Sequence, residues 1–150
     1  MLTCLAIALQ SHPLQAQSYC NVTSAAPYSA NMPGMTNVKI GTINRTSGSV
    51  EGSSSFIQTG LSTNLEQGKT YTVSITHTKD AQSFPNARNN IRVWIDYNQN
   101  FELDDVGETV ISADKQTPGV FTGSFTVPMT AKLGQTKIRI TAKMSDDAGH

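Results

Sequence analysis

The sequence predicts an all-β protein, an antiparallel β-sandwich of the immunoglobulin-like or jelly-roll-like kind, and three observations predict it. Ser and Thr together number 33 of 150 residues, a composition that suits strands with one polar face better than packed helices. From Asn37 onward, short runs are divided by clusters of Gly, Asn, Ser and Pro, and no 3.6-residue apolar period persists over a dozen residues. Within those runs apolar and polar residues alternate, so each strand has one face to bury, and two packed sheets bury such faces against each other. The length suits one domain. Lys plus Arg total 11 and Asp plus Glu total 11, which leaves no basic surplus to neutralise a phosphate backbone and argues against a nucleic-acid partner.

The first segment stands apart from the fold. Leu2 to Leu9 is apolar, Gln10 to Gln15 turns polar, and Leu14-Gln15-Ala16 ends on a small residue suited to signal-peptidase cleavage. The expectation is a signal peptide over 1–17 and a secreted or cell-surface location, although no Lys or Arg precedes Lys39 to supply the usual basic start. Eight apolar residues fall short of the about 20 that cross a bilayer, so no membrane span is expected. Cleavage leaves Cys20 as the single cysteine, either a free buried thiol or one whose partner lies outside this chain. The second option is favoured because Met144 to His150 follows a strand-like run without a terminating element. The domain is then 18–150, truncated at its C-terminus.

The strands follow in order. Asn37 to Ile43 reads as the first, then a Ser/Gly loop to Ser55, a short run at Phe56 to Thr59 and another at Leu61 to Leu65. Glu66-Gln67-Gly68-Lys69 is a turn, because Gly68 accepts the positive φ that other residues resist. Thr70 to Thr78 alternates, with Tyr71, Val73 and Ile75 on one face. Lys79 to Asn90 reads as an exposed connection. Ile91, Val93, Ile95 and Tyr97 make the next inward set, Phe121, Gly123, Phe125 and Val127 a third, closed by Pro128, and Ile138, Ile140 and Ala142 a fourth.

One loop carries chemistry. Asp96, Glu102, Asp104, Asp105 and Glu108 are five of the eleven carboxylates, and no Lys or Arg falls between Arg92 and Lys115. Such uncompensated charge is self-repelling without a cation. Oxygen donors without Cys or His nearby suit a hard ion, calcium rather than zinc. Asp96, Asn98 and Asn100 stand at positions 1, 3 and 5, and Glu108 at position 13 closes the cage, as in an EF-hand loop with one residue added. Glu102 offers its backbone carbonyl, Asp105 ligates or orients, Leu103 anchors the loop inward and Gly107 permits the bend before Glu108. The alternative is a solvated acidic turn.

Other chemistry finds little support. Trp94 points to the sheet face opposite Val93 and Ile95, where it either lies under a second layer or stacks on a sugar ring as a ligand-binding residue. His12, His77 and His150 are scattered, and no nucleophile elbow, phosphate loop or zinc-protease helix motif occurs. No catalytic residue is assigned, and the expectation is that the chain is not an enzyme.

The run Val93-Trp94-Ile95-Asp96-Tyr97-Asn98-Gln99-Asn100, followed by Leu103, Asp105 and Gly107-Glu108, resembles the signature of the GEVED domain. Ser18-Tyr19-Cys20, Gln67-Gly68-Lys69-Thr70-Tyr71, Phe125-Thr126-Val127-Pro128 and Lys137-Ile138-Arg139-Ile140 extend the likeness over nearly all of Ser18 to Lys143. The resemblance implies a module of secreted or surface proteins, chiefly of Bacteroidetes-type bacteria, working beside other domains of a larger protein. It also implies a late cysteine to pair with Cys20, and a Gly-Glu-Val-Glu-Asp segment, both beyond His150. Where the family usually has Asp-Gly this chain has Asn100-Phe101, which removes one charge and the flexible turn residue from the loop. The functional expectation is a non-catalytic, calcium-stabilised adhesive, spacer or accessory domain, with a carbohydrate-binding module or an accessory domain of a secreted hydrolase as alternatives.

Overall fold

The computed structural model describes Tyr19 and residues 34–46, 60–78 and 86–145. The expected signal segment, Cys20 and the run at Phe56 to Thr59 lie outside the described residues. Seven strands are present: β1 (Met35–Ile40), β2 (Ile43–Thr46), β3 (Thr70–His77), β4 (Arg88–Ile95), β5 (Thr109–Gln116), β6 (Gly119–Thr126) and β7 (Ile138–Ser145), with no helix among the described residues. All pair antiparallel, in a four-stranded sheet of order β2-β1-β3-β6 and a three-stranded sheet of order β5-β4-β7. The all-β, two-sheet expectation holds.

Alternation explains which side of each strand is buried. Val73 and Ile75 of β3 and Ile91, Val93 and Ile95 of β4 are almost wholly shielded from solvent, and they form one apolar cluster with Ile40, Ile111, Phe125 and Val127. Each such aliphatic side chain contributes roughly 1.5–3 kcal/mol by leaving water. The opposite face of β3 and β6 is polar, with the hydroxyls of Thr70 and Thr126 2.8 Å apart and those of Thr72 and Ser124 3.2 Å apart.

The structure corrects four strand expectations. The single strand at Asn37 to Ile43 is a hairpin instead: Gly41, at φ +53°, turns the chain so that Ile40 pairs with Ile43. Alternation reads straight through a two-residue turn, which hides it. The run at Leu61 to Leu65 forms no strand. The connection at Lys79 to Asn90 is shorter than expected, since β4 begins at Arg88, and Asn89 is fully buried rather than exposed. β5 was not anticipated: adjacent Val110 and Ile111 break the period of two, and the pairing with β4 is irregular between Val93 and Trp94. The turn at Glu66 to Lys69 stands as read, with Gly68 at φ +74° and its N–H on the Val127 carbonyl at 2.8 Å.

Between the sheets, β3 and β4 share a polar contact. The Asn89 amide donates to His77 Nδ1 at 2.8 Å and to the Thr78 carbonyl at 2.9 Å. An acceptor at Nδ1 places the proton of the neutral ring on Nε2. His77 is 2% exposed, and burial holds its pKa below the ordinary histidine value. The sign follows by linkage. Below about pH 6.5 the unfolded chain gains a proton that the folded chain resists, so stability falls with pH until the lowered value is passed. Urea midpoints between pH 8 and 5 are expected to fall, and to fall less in His77→Phe. Equal slopes in the two proteins would disprove this.

Candidate metal centre

The acidic loop joins the neighbouring strands β4 and β5, so its two ends are fixed side by side. Ile95 N–H donates to the Glu108 carbonyl at 3.0 Å, and Asp96 N–H to the Lys137 carbonyl at 3.2 Å. The segment before β7 contributes further, for Lys132 N–H reaches the Tyr97 carbonyl at 2.8 Å. Leu103 is buried and Gly107 stands at φ +90°, both as the sequence reading required. Gln99 and Phe101 also take left-handed conformations, at φ +56° and +73°. For Phe101, where a glycine would sit at ease, this costs roughly 1–2 kcal/mol.

Asp96 is wholly buried and Glu108 is 3% exposed. Both are anchored by backbone donors, which is how a carboxylate is held inside a protein. Asp96 Oδ1 accepts from Asn100 N–H at 3.2 Å, while Oδ2 accepts from Phe101 N–H at 3.0 Å and from the Tyr19 hydroxyl at 2.5 Å. Asn98 Oδ1 accepts from Asn100 N–H, and Asn100 Oδ1 from Glu102 N–H. Asp105 Oδ2 accepts from the side-chain amides of Asn98 and Asn100, at 2.6 and 2.7 Å. The side chains at positions 1, 3 and 5 thus fold the loop on themselves.

Glu108 differs from the others. Its Oε1 accepts from Tyr97 N–H at 2.9 Å and Asn98 N–H at 3.2 Å, but buried Oε2 has no hydrogen-bond partner. Burial pushes its carboxyl above the usual range, and the charges of Asp96 and Asp105 push the same way against the two backbone donors. Tyr97, also buried and beside Glu108, has its phenol pushed up to about 12. An unpaired buried carboxylate oxygen beside two more carboxylates is a site of excess negative potential.

Of the residues expected to bind metal, Asp96, Asn98, Asn100, Asp105 and Glu108 are joined by these hydrogen bonds and charge contacts. Glu102 is exposed and joins through its backbone alone. Among the described residues no three His, Cys, Asp or Glu side chains form a metal-holding group by themselves. Any cation bound here would need amide or backbone oxygens to complete its shell. Trp94 is half-buried on the outward face of β4, registered opposite Thr109 and Arg139.

Sequence reading missed two contributors. Tyr19 donates to Asp96 from 77 residues away, and the Thr136 hydroxyl donates to the Asp96 carbonyl from 40. Neither lies within the loop's spacing, so no local pattern reveals them.

Comparison with known families gives one finding: the model of the GEVED domain matches residues 90–149, a span that takes in nearly all of β4, the acidic loop and β5 to β7. No curated protein and no solved structure matches the chain.

Proposed function

We propose, with support from the GEVED match over residues 90–149, that the chain is a non-catalytic, calcium-stabilised β-sandwich module of a secreted or cell-surface bacterial protein, acting as an adhesive, spacer or accessory domain. The observation that carries the calcium reading is Glu108 Oε2, buried and unpartnered beside Asp96 and Asp105. Leaving such an oxygen without a partner is expensive, and a hard cation is the ligand that answers it. Extracellular calcium modules bind at about 10⁻⁴ to 10⁻³ M, so the ion is present where such a protein works.

The full chain is expected to melt about 3–5 °C higher at a tenfold excess of calcium over Kd than in chelator, the equivalent of about 1.4 kcal/mol. Magnesium, with its small octahedral shell, is expected to give less than half of that. Millimolar calcium producing neither heat of binding nor a melting shift would refute the calcium reading.

A second reading is favoured by Trp94, which is half-exposed on the outward face of β4 between Arg92 on its own strand and Arg139 across the pair to β7. A partly exposed indole on the outward face of a strand suits the face of a sugar. Binding on a glycan array that disappears in Trp94→Ala supports a carbohydrate-binding module.

A further inference from the structure

Three of the contacts of Tyr19 lie around Asp96. Its hydroxyl donates to Asp96 Oδ2 at 2.5 Å, its ring lies 5.1 Å from that of Phe101, and the Lys137 ammonium sits 4.0 Å from its ring centroid. Phe101 and Lys137 are themselves bonded to Asp96, Phe101 through its N–H to Oδ2 and Lys137 through its carbonyl to the Asp96 N–H. Tyr19 is thus tied to Asp96 directly and to both of its neighbours in the site.

The division of donors over the Asp96 carboxylate gives these contacts a purpose. Oδ2 is taken by two protein donors, Tyr19 and Phe101, whereas Oδ1 accepts a single N–H, from Asn100. A carboxylate pinned through one oxygen presents the other to an ion at a fixed angle, and such outer partners govern affinity nearly as strongly as the ligands do. The ring contact also packs Tyr19 against Phe101, whose left-handed backbone presents its N–H to Oδ2.

We propose that Tyr19 is a positioning residue of the cation centre, and that cation binding in turn tightens the contact of the Tyr19 side chain with Asp96 in the β4–β5 loop. This inference rests on the calcium reading above. Coupling between the two events is reciprocal: the factor by which Tyr19 tightens calcium is the factor by which calcium tightens Tyr19.

The test uses the full chain, with calcium chloride as the only ligand. Titration calorimetry compares wild type, Tyr19→Phe and Tyr19→Ala, and hydrogen exchange follows the peptide containing Tyr19 with calcium and with chelator. Tyr19→Phe keeps the ring and loses the hydroxyl, and is expected to raise Kd about tenfold while its melting temperature in chelator falls by only the few degrees that one lost hydrogen bond costs. Tyr19→Ala is expected to raise Kd further. In wild type, calcium is expected to slow exchange in the Tyr19 peptide, and in Tyr19→Phe to slow it less. If wild type binds calcium and Tyr19→Phe binds it equally, or calcium leaves exchange at Tyr19 unchanged, the role of Tyr19 is overturned and the calcium site stands. If wild type shows no binding heat and no melting shift, both fall together.

Discussion

Ile91→Ala is expected to lower the stability of the fold by about 3.5–5 kcal/mol and its melting temperature by about 10–15 °C. Ile91 is fully buried on β4, the middle strand of its sheet, with Ala113 and Ala142 as its registered neighbours. Two alanines beside it offer little bulk to close a cavity, so the upper half of the range for such substitutions applies. Urea denaturation in chelator checks this, with the midpoint falling and the slope unchanged. A loss under about 1 kcal/mol would mean that the two sheets do not pack through this residue.

Glu108→Gln is expected to act with opposite signs in the absence and presence of calcium. In chelator the substitution removes a buried charge that has one oxygen unpartnered and two carboxylates nearby. An amide retains an acceptor for the Tyr97 and Asn98 N–H groups and adds a donor where negative charge is in excess. The variant is expected to be more stable than wild type by about 1–3 kcal/mol in chelator, and to gain nothing from calcium. Paired melts in chelator and millimolar calcium decide the matter. A Gln variant less stable than wild type in chelator would show that Glu108 is comfortable in its pocket and calls for no ion.

Much of the fold was legible because a half-buried strand writes its orientation into alternate residues. The inward sets at Val73 and Ile75, and at Ile91, Val93 and Ile95, were read directly from period two and are the core. Failures came where the backbone departs from that period. Gly41 turns the chain within what reads as one strand, and the irregular register opposite Trp94 masks β5. At the candidate site the loop residues were legible because positions 1, 3, 5 and 13 converge by local turn geometry, and hydrogen bonds do join Asp96, Asn98 and Asn100. Tyr19, Thr136 and the pairing of His77 with Asn89 were not legible. Each depends on tertiary contact, His77 and Asn89 lying in different sheets.

β5 lies at the rim of the three-stranded sheet, with β4 on one side and no paired strand on the other among the described residues. Open rims of this kind invite a strand from another molecule, the route by which sheet proteins polymerise. Lys115, at φ +53°, and the irregular pairing near both ends of β5 interrupt the row of outward N–H and C=O groups, and Asp114 and Lys115 place exposed charge on it. An incoming strand would meet two breaks in register and would have to bury or displace those charges. The irregularity that conceals β5 in the sequence therefore also makes its outer edge a poor template for an added strand.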